Sequence, residues 1–300
     1  IADNKFYNNA EGMYVKALFQ NITTRNNIVH DNSGPCIEYG ISRFSGTGSI
    51  ENNLIYNCAT QGIETRGDNH DLTMYGNTIW NTRDSITLEL HGGNYGPGNN
   101  FTIKNNIITK DSRSFITLWW GTNRTTTSDY NLFYDTQQNI GTISDGGTSA
   151  PRIDYSTLAG WRAGTGKDYN SSVVDPQFLS TNPASPDFLR PAPGSPVIDA
   201  GILIPGYHCA QPGVETFPGC RMWYGSAPDI GYFEYVFSGP TTCNDVNNDA
   251  VVNIIDLALV VYNQGQNALD PDYQHLDVNT DGAINYNDVL AVIGSLGSNC

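Results

Sequence analysis

The sequence predicts a mostly β fold, a parallel β-helix solenoid that is followed by a small helical domain. The main observation is a short motif that recurs six times in the first half of the chain, an asparagine with an apolar residue two positions later. The asparagines are 23, 26, 24, 29 and 25 residues apart, and a repeat of this length is typical of a solenoid. The six are Asn4, Asn27, Asn53, Asn77, Asn106 and Asn131.

Each repeat carries two further short segments in which apolar and polar residues alternate. One follows the asparagine by nine or ten residues, as in residues 37–39 and 63–65. Another precedes the asparagine, as in residues 49–51 and 72–74. This alternation predicts short strands with one buried face. Three strands per repeat leave no room for a helix, so we expect a parallel β-helix whose successive coils are about 4.8 Å apart.

The repeated asparagine predicts a ladder of side-chain amide hydrogen bonds that runs from coil to coil. Asparagine is also common in turns, which is the simpler explanation of its frequency. Six occurrences in register with an apolar residue favour the ladder. We therefore expect Asn27, Asn53, Asn77 and Asn106 to lie one above another.

We assign the coils to residues 1–147, and residues 1 to about 140 resemble the right-handed parallel β-helix proteins. That superfamily includes many polysaccharide lyases, glycoside hydrolases and adhesins, so the resemblance implies a right-handed coil without fixing an activity. Residues 148–237 contain three signatures, between residues 175 and 234, that resemble the closing segment of many secreted bacterial β-helix proteins. We interpret this segment as a structural terminus, which is followed by a linker at residues 238–242.

Residues 243–300 contain a twelve-residue pattern twice, with the second copy 32 residues after the first. Oxygen-bearing side chains at alternate positions, one backbone carbonyl and a final carboxylate are what a hard cation such as Ca²⁺ requires. The pattern therefore predicts two calcium sites on which the fold of this domain depends. The predicted ligands are Asp245, Asn247, Asp249, Val251, Asn253 and Asp256 in the first loop, and Asp277, Asn279, Asp281, Ala283, Asn285 and Asp288 in the second.

Both loops end in Asp rather than Glu and no helix leads into them, and in these respects residues 243–300 resemble dockerin modules. The resemblance implies a cohesin partner and the tethering of a carbohydrate-active enzyme to a larger assembly. Ala250 replaces the glycine of the sharp turn in the first loop, which predicts strain there. Ile254 and Ile255 stand where cohesin-binding dockerins often carry polar residues. This leaves open an intramolecular contact, self-association or an unusual cohesin-like partner.

Composition narrows the class of protein. The net charge is −15, from 30 acidic and 15 basic residues, which argues against nucleic acid and anionic membranes as partners. No apolar run reaches the roughly 18 residues that a bilayer-spanning helix needs. Six cysteines indicate an oxidising compartment, and hence a secreted, extracellular or cell-surface protein.

The cysteines also suggest specific pairs. Cys209 and Cys220 flank a Pro- and Gly-rich loop, and we expect them to pair. Cys243 and Cys300 bracket the last domain, and we expect that pair to join its ends. A third pair, Cys36–Cys58, is left open because the two residues lie on neighbouring coils at different positions.

The alternation of the second strand predicts which side chains point away from the coil interior. Glu38 and Glu64 would then be neighbours on successive coils, about as close as the carboxylates of a retaining glycosidase, roughly 5–5.5 Å. Like charges at this distance raise one pKa, which can make an acid and a base from two equal residues. The candidate catalytic residues are Glu38, Glu64, Arg66 and Glu89, and the candidate substrate-binding residues are Tyr14, Lys16, His91 and Trp119.

Three functions from different classes fit these observations. The first is a secreted protein directed at polysaccharide and attached through its dockerin-like domain; if it is an enzyme, it is a glycoside hydrolase or a polysaccharide lyase. The second is a structural or adhesive extracellular protein, such as a filament or surface-layer subunit, whose calcium-bound tail mediates assembly without catalysis. The third is a glycan-binding module without turnover.

Overall fold

The computed structural model describes residues 1–16, 21–40, 46–67, 70–89, 100–119, 122, 125–135, 139–144, 151–236, 244–268, 270, 273–279 and 282–297. The chain divides into two compact units. The first unit is Ile1–Ile202 with Asp229–Phe233, and the second is Leu203–Pro228 with Glu234–Cys300.

The described residues of the first unit form short strands and one helix. In chain order they are β1 (Lys5–Tyr7), β2 (Met13–Lys16), β3 (Ile22–Arg25), β4 (Ile28–Asn32), β5 (Ile37–Gly40), β6 (Gly46–Glu51), β7 (Leu54–Arg66), β8 (His70–Tyr75), β9 (Thr78–Glu89), β10 (Asn100–Lys104), β11 (Ile107–Thr109), β12 (Ser114–Trp119), β13 (Thr126–Asp129), β14 (Leu132–Tyr134), β15 (Asn139–Ser144), β16 (Ile153–Tyr155), α1 (Leu158–Thr165) and β17 (Ser172–Val173).

These strands stack as the predicted parallel β-helix. The first side of the coil follows the order β1-β4-β7-β9-β11-β14-β17. The second side is formed by β2, β5, β12 and β15 together with the later parts of β7 and β9, which continue across the corner. The third side is the separate sheet β13-β10-β8-β6-β3. The pairing is parallel throughout these strands, while β16 runs antiparallel to β15.

The interior is filled by the apolar residues that alternate along the three sides. On the second side, Ile37, Ile63, Ile86 and Ile116 are fully buried and stack on successive coils. They form one core with fully buried residues of the other two sides. The same alternation therefore directs the intervening side chains of each strand away from the core.

The asparagine ladder is present and buried. Asn53 donates from its backbone nitrogen and from Nδ2 to Oδ1 of Asn77, over 2.9 and 3.0 Å. Asn77 repeats both bonds to Asn106, over the same distances. Asn27, Asn53, Asn77, Asn106 and Asn131 are all fully buried.

The stacking continues past residue 147, where the sequence analysis ended the coils. The backbone nitrogen of Asn131 donates to Oγ of Ser171 over 2.8 Å, so a serine takes the ladder position on the last coil. Strand β17 then pairs in parallel with β14. The repeat was not visible here because neither the asparagine nor the apolar spacing is kept.

Residues of the closing segment pack along the outside of the first side. Phe188 contacts Tyr56 and Trp80 edge-on, with ring centroids 4.8 and 5.5 Å apart. Ile202 exchanges two hydrogen bonds with the side chain of Asn105, over 2.8 and 3.0 Å. These contacts hold the segment against the coil.

The structure contains two disulfides among the described residues. Cys36 and Cys58 are joined, with Cα atoms 5.7 Å apart, and this bond ties neighbouring coils together. Cys209 and Cys220 are joined as the sequence suggested, with Cα atoms 5.0 Å apart. Cys243 and Cys300 lie outside the described residues.

In the described part of the second unit, two α-helices follow the duplicated loops. They are α2 (Ile254–Tyr262) and α3 (Tyr286–Ser295), with a short 3₁₀ turn at Gln274–Leu276 between them. Asn253 and Asn285 cap the two helices through reciprocal hydrogen bonds with Asp256 and Asp288. Buried apolar residues of both repeats form the core of the unit. Across the described part of the chain, helices are too short or too polar to traverse a bilayer.

Candidate functional site

The predicted outward column on the second side exists in the expected register. Tyr14 pairs with Glu38, Glu38 with Glu64, Glu64 with Thr87, and Thr87 with Thr117. Because their neighbours Ile37, Ile63, Ile86 and Ile116 belong to the core, these five side chains point away from it. Parallel pairing separates successive members by about 4.8 Å.

Arg66 joins the two carboxylates of this column. Its Nη2 lies 3.0 Å from Oε1 of Glu64, and its Nη1 lies 3.9 Å from Oε1 of Glu38. The Arg66 side chain is 47% exposed, whereas those of Glu38 and Glu64 are 6% and 2% exposed. The guanidinium therefore lies at the surface with both acids beneath it.

This burial differs from the solvent-facing column that the alternation suggested. Tyr14, which is 43% exposed, lies across Gly40, and a Cβ at residue 40 would collide with the Tyr14 ring. The absent side chain at Gly40, which is in register with Arg66 on the next coil, leaves room for the ring. The face of the strand to which a side chain points can be predicted from the sequence, but its burial by side chains of neighbouring coils cannot.

Within this cluster, the pKa of Glu64 is clearly shifted by its surroundings. Burial raises the pKa of Glu64 from 4.5 to about 7, against the opposing effect of Arg66, and the charges of Glu38 and Glu89 raise it further. Its Oε2 atom is buried and has no hydrogen-bond partner among the described residues. A carboxyl with a pKa near neutrality can give or take a proton during a reaction.

Three further buried oxygens on this face also lack partners within the described residues. They are Oγ1 of Thr87 and Thr117, on the next two coils, and Oδ1 of Asp84. These residues are 4%, 2% and 2% exposed. Buried polar atoms are normally satisfied, so an unsatisfied group of them points to bound water or to a polar ligand.

Asp84 belongs to a charged cluster that the sequence analysis missed. Its Oδ2 lies 3.0 Å from Nε of Arg83 and 3.6 Å from Nη1 of Arg113. Asp111 lies nearby, and burial raises its pKa to about 7, with a further contribution from the charge of Asp84. This cluster could not be predicted because the pairing of β7 with β9 shifts register between Cys58 and Gln61, which breaks the simple alternation of inward and outward side chains.

The remaining predicted residues lie around this face to different extents. Glu89 is in register with Arg66, as expected. Trp119 ends β12 one residue beyond Leu118, which pairs with Leu88, and it is half-buried. The side chain of Lys16 and all of His91 lie outside the described residues.

The first duplicated loop brings its carboxylates together. Asp245, Asp249 and Asp256 have carboxylate oxygens within 4.8 Å of one another. Asp256 also accepts hydrogen bonds from the backbone nitrogens of Asn247 and Asn253, over 3.0 and 2.8 Å. The closing aspartate therefore fixes both the early and the late part of the loop.

The chemistry of this donor set fits a hard cation. Burial raises the pKa of Asp245, and the like charges of Asp256 and Asp249 raise it further. A bound divalent cation would relieve this repulsion, and carboxylate, amide and carbonyl oxygens are the ligands that Ca²⁺ prefers. The site can therefore hold calcium.

The second loop repeats the described part of this arrangement. Asp288 accepts from the backbone nitrogens of Asn279 and Asn285, over 3.2 and 2.8 Å. The backbone nitrogen of Gly282 donates to Oδ2 of Asp277 over 2.9 Å. Asp281, a predicted ligand, lies outside the described residues.

The sharp turn of the two loops differs in one residue. Gly282 has φ of 89°, a left-handed conformation that glycine adopts without strain. Ala250 occupies the equivalent position with φ of 70°. The alanine therefore carries the backbone strain that its sequence position predicted.

The two helices expose equivalent apolar residues. Ile254 and Tyr286 begin the helices and are 69% and 64% exposed, and Val261 and Ile293 follow seven residues later at 50% and 45%. Tyr262, at 87%, extends the face on α2. A pair of matching apolar faces of this kind is typical of a surface that binds another protein.

Comparison with known proteins identifies both parts of the chain. The sequence model of the family described as right handed beta helix region matches residues 1–79 and 38–152. The model of the dockerin type I domain matches residues 243–297. No curated protein and no solved structure matches the chain.

Dockerin type I domains bind calcium and pair with cohesin domains, and proteins that contain them are extracellular or displayed at the cell surface. The β-helix match covers half of the chain, the stacked coils agree with it, and the duplicated loops agree with the dockerin match. The chain therefore belongs to the right-handed β-helix family and carries a dockerin type I domain at its C-terminal end.

Proposed function

We propose that this chain is an extracellular carbohydrate-active protein that hydrolyses a glycosidic bond at Glu38 and Glu64. Its dockerin domain would attach it to a cohesin-bearing assembly. The observation that carries the proposal is the buried Glu64 carboxyl, whose pKa is about 7 and whose Oε2 lacks a partner among the described residues, one coil away from Glu38.

The two carboxyl groups have different roles in the reaction, Glu64 as the acid and base and Glu38 as the nucleophile. Protonated Glu64 donates its proton to the glycosidic oxygen as the bond to the anomeric carbon breaks. Glu38, about one coil spacing away, supplies the carboxylate that bonds to the anomeric carbon. Glu64 then takes a proton from a water molecule whose oxygen bonds to the anomeric carbon, and the bond between that carbon and Glu38 breaks. Arg66 orients both carboxylates through its two nitrogens.

The unsatisfied oxygens beyond Glu64 supply contacts for neighbouring sugar units. Thr87 and Thr117 continue the column of Glu64 over the next two coils. Their hydroxyl groups would donate hydrogen bonds to sugar hydroxyls or accept them, and Oδ1 of Asp84 would accept them. This arrangement directs a polysaccharide chain along the axis of the coil.

The dockerin domain contributes two calcium sites and a docking face in this proposal. The matching capping geometry of Asp256 and Asp288 supports calcium in both loops. The cohesin would contact the apolar residues of α2 and α3, including Ile254 and Tyr286. Apolar contacts would then replace the polar ones usual at these positions, which predicts a cohesin with a complementary apolar patch.

The catalytic assignment is tested with the isosteric variants Glu64→Gln and Glu38→Gln. Both are assayed for released reducing ends across a panel of neutral and acidic polysaccharides. Each should lose activity by on the order of 10²-fold or more, because proton transfer or the covalent step is removed. Glu11→Gln, at an exposed glutamate, is the matched control and should retain activity. Unchanged turnover in Glu64→Gln contradicts the proposal.

A non-catalytic role is favoured by one observation, the almost complete burial of Glu38 and Glu64. Wild-type protein that binds a polysaccharide saturably without releasing any reducing end would support a passive glycan-binding module. Calcium-dependent polymerisation of the purified chain would instead support the structural function, with the exposed faces of α2 and α3 as the contact.

A further inference from the structure

A disulfide-closed segment outside the dockerin match belongs to the same unit as the calcium loops. We call residues 203–228 the arm. The dockerin match begins at residue 243, and the closing signature of the β-helix runs to residue 234. The arm nevertheless groups with residues 234–300 rather than with the coils.

The arm is held in one conformation by several internal bonds. Cys209 is joined to Cys220, and its backbone nitrogen donates to the carbonyl of Arg221 over 2.9 Å. Nε1 of Trp223 donates to the carbonyl of Cys209 over 2.9 Å. Arg221 also pairs with Glu234 at 3.4 Å, which fixes the end of the arm to the chain that follows it.

We call residues 244–297, which hold the two predicted calcium loops, the calcium module. Contacts between described residues join the arm to it. The backbone nitrogen of Gly225 donates to the carbonyl of Asn247 over 3.3 Å. The ring of Tyr224 meets the ring of His275 edge-on, with centroids 5.5 Å apart. Val214 packs against the buried apolar residues of the module.

These contacts reach the first calcium loop and the turn that leads into the second. Asn247 is a predicted ligand of the first loop and is 2% exposed. Its backbone nitrogen donates to Asp256 and its carbonyl accepts from Gly225, so the arm fixes one side of this residue and the closing aspartate the other. His275 lies two residues before Asp277, which begins the second loop.

We propose that the arm is a positioning element of the calcium sites, a built-in partner that holds both loops close to their metal-binding geometry. A loop of carboxylates that must be ordered on binding has a lower affinity than one that is already ordered. Calcium affinity in this chain then depends on residues outside the loops and outside the dockerin domain. The inference rests on the proposed function only in assigning calcium to both loops.

The test uses the full chain and measures calcium binding by isothermal titration and by terbium luminescence. Tyr224→Ala removes the ring contact with His275 and should weaken calcium affinity by roughly fivefold or more. Tyr224→Phe keeps the ring and should bind calcium as the wild type does. Tyr169→Ala, at a tyrosine that is 65% exposed in the first unit, is the control and should have no effect.

A second variant keeps the test decisive if Tyr224→Ala does not fold. Cys209→Ser with Cys220→Ser releases the arm without touching the loops, and should weaken calcium affinity and speed hydrogen exchange at the amides of Asn247 and Asn253. Wild-type affinity in folded variants of both kinds overturns the proposal. A wild-type chain that binds no calcium overturns the calcium sites themselves, which is a separate outcome.

Discussion

Glu64 couples its protonation to the folding of the coils. Its pKa rises from 4.5 to about 7 because burial disfavours the carboxylate more than Arg66 favours it. The folded protein therefore holds this proton more tightly than the unfolded chain does. The resulting stabilisation is full below pH 4.5 and is lost as the pH rises through about 7.

This predicts a difference between the wild type and Glu64→Gln. The free energy of unfolding of the β-helix should fall, relative to the variant, by on the order of 3 kcal/mol between pH 4.5 and 8. Urea titrations at several pH values measure it, and Glu11→Gln should follow the wild type. Parallel pH profiles for wild type and Glu64→Gln would show that the carboxyl ionises freely.

Ala250 offers a stabilising substitution. Its left-handed backbone costs an alanine about 1–2 kcal/mol, which glycine avoids. Ala250→Gly should therefore raise the calcium affinity of the first loop, by about 5- to 30-fold if the loop adopts this conformation only when calcium is bound. Calcium titration measures it. Asn248→Gly is the control, because asparagine tolerates its φ of 60° and little should change.

Residues on this face differ in how far sequence could predict them. Glu38, Glu64 and Arg66 follow from strict alternation after an inward isoleucine, and the structure brings them together. Asp84 and Arg113 precede that stretch, where the register shift decouples sequence position from direction. Burial could not be predicted in either case, because it depends on side chains from other coils.

At the scale of single elements, the asparagine ladder is the feature of the fold where we expect a substitution to be least tolerated. The side chain of Asn77 accepts two bonds from Asn53 at Oδ1, and its Nδ2 donates two, to Oδ1 of Asn106 and to the carbonyl of Ile50. Asn77→Ala would leave several buried partners unsatisfied, at about 1–3 kcal/mol each. We therefore expect a loss of about 3 kcal/mol or more in the free energy of unfolding.

Asn100→Ala provides the matched comparison. Asn100 makes the same pair of bonds, from its backbone nitrogen and Nδ2 to Oδ1 of Asp71, both over 2.9 Å, but at an exposed position. Water replaces the lost partner there, so we expect less than about 1 kcal/mol. Equal losses in the two variants would mean that burial does not make the ladder stabilising.

The strands themselves were largely predictable, and their turns were not. Apolar alternation gave the three sides of the coil because each strand buries one face. The residue before each ladder asparagine has a left-handed backbone, as at Asn26, Asn52 and Asn105. Asparagine tolerates that conformation, so the frequent Asn-Asn pairs serve two separate purposes. Composition alone cannot separate the ladder residue from the turn residue.

At the scale of the whole molecule, the two units should respond differently to metal removal. Carboxylates of the calcium loops repel one another without a cation, while the coils depend on apolar burial and on the ladder. Chelation with EGTA should abolish the calorimetric unfolding transition of the second unit, or lower its midpoint temperature by about 10 °C or more. The transition of the first unit should stay unchanged.

A double variant checks that the effect is specific to the loops. Asp245→Asn with Asp277→Asn, measured in calcium, should behave as the wild type does in EGTA. Magnesium added in place of calcium should restore little, because it demands a tighter octahedral site. A second unit that melts at the same temperature with and without calcium would contradict a metal-dependent fold.

The division into units could be predicted only in part. The coil repeat predicted the β-helix and the duplicated loops predicted the calcium-binding domain, and both family matches agree with these predictions. The grouping of residues 203–228 with the loops could not be predicted, since it arises from contacts such as Gly225 with Asn247. Nothing in the local sequence distinguishes such contacts from those of an ordinary connecting loop.

The covalent bond between Cys36 and Cys58 has a consequence for how the solenoid is wound. In a repeat protein each turn packs only against its neighbours, so folding can begin at any adjacent pair of turns and spread from there. The bond closes a segment of 22 residues, about the length of one turn, and so keeps two adjacent turns in proximity even in an unfolded chain. Folding of the coil can therefore begin at the two turns that this disulfide joins and spread toward both ends of the solenoid.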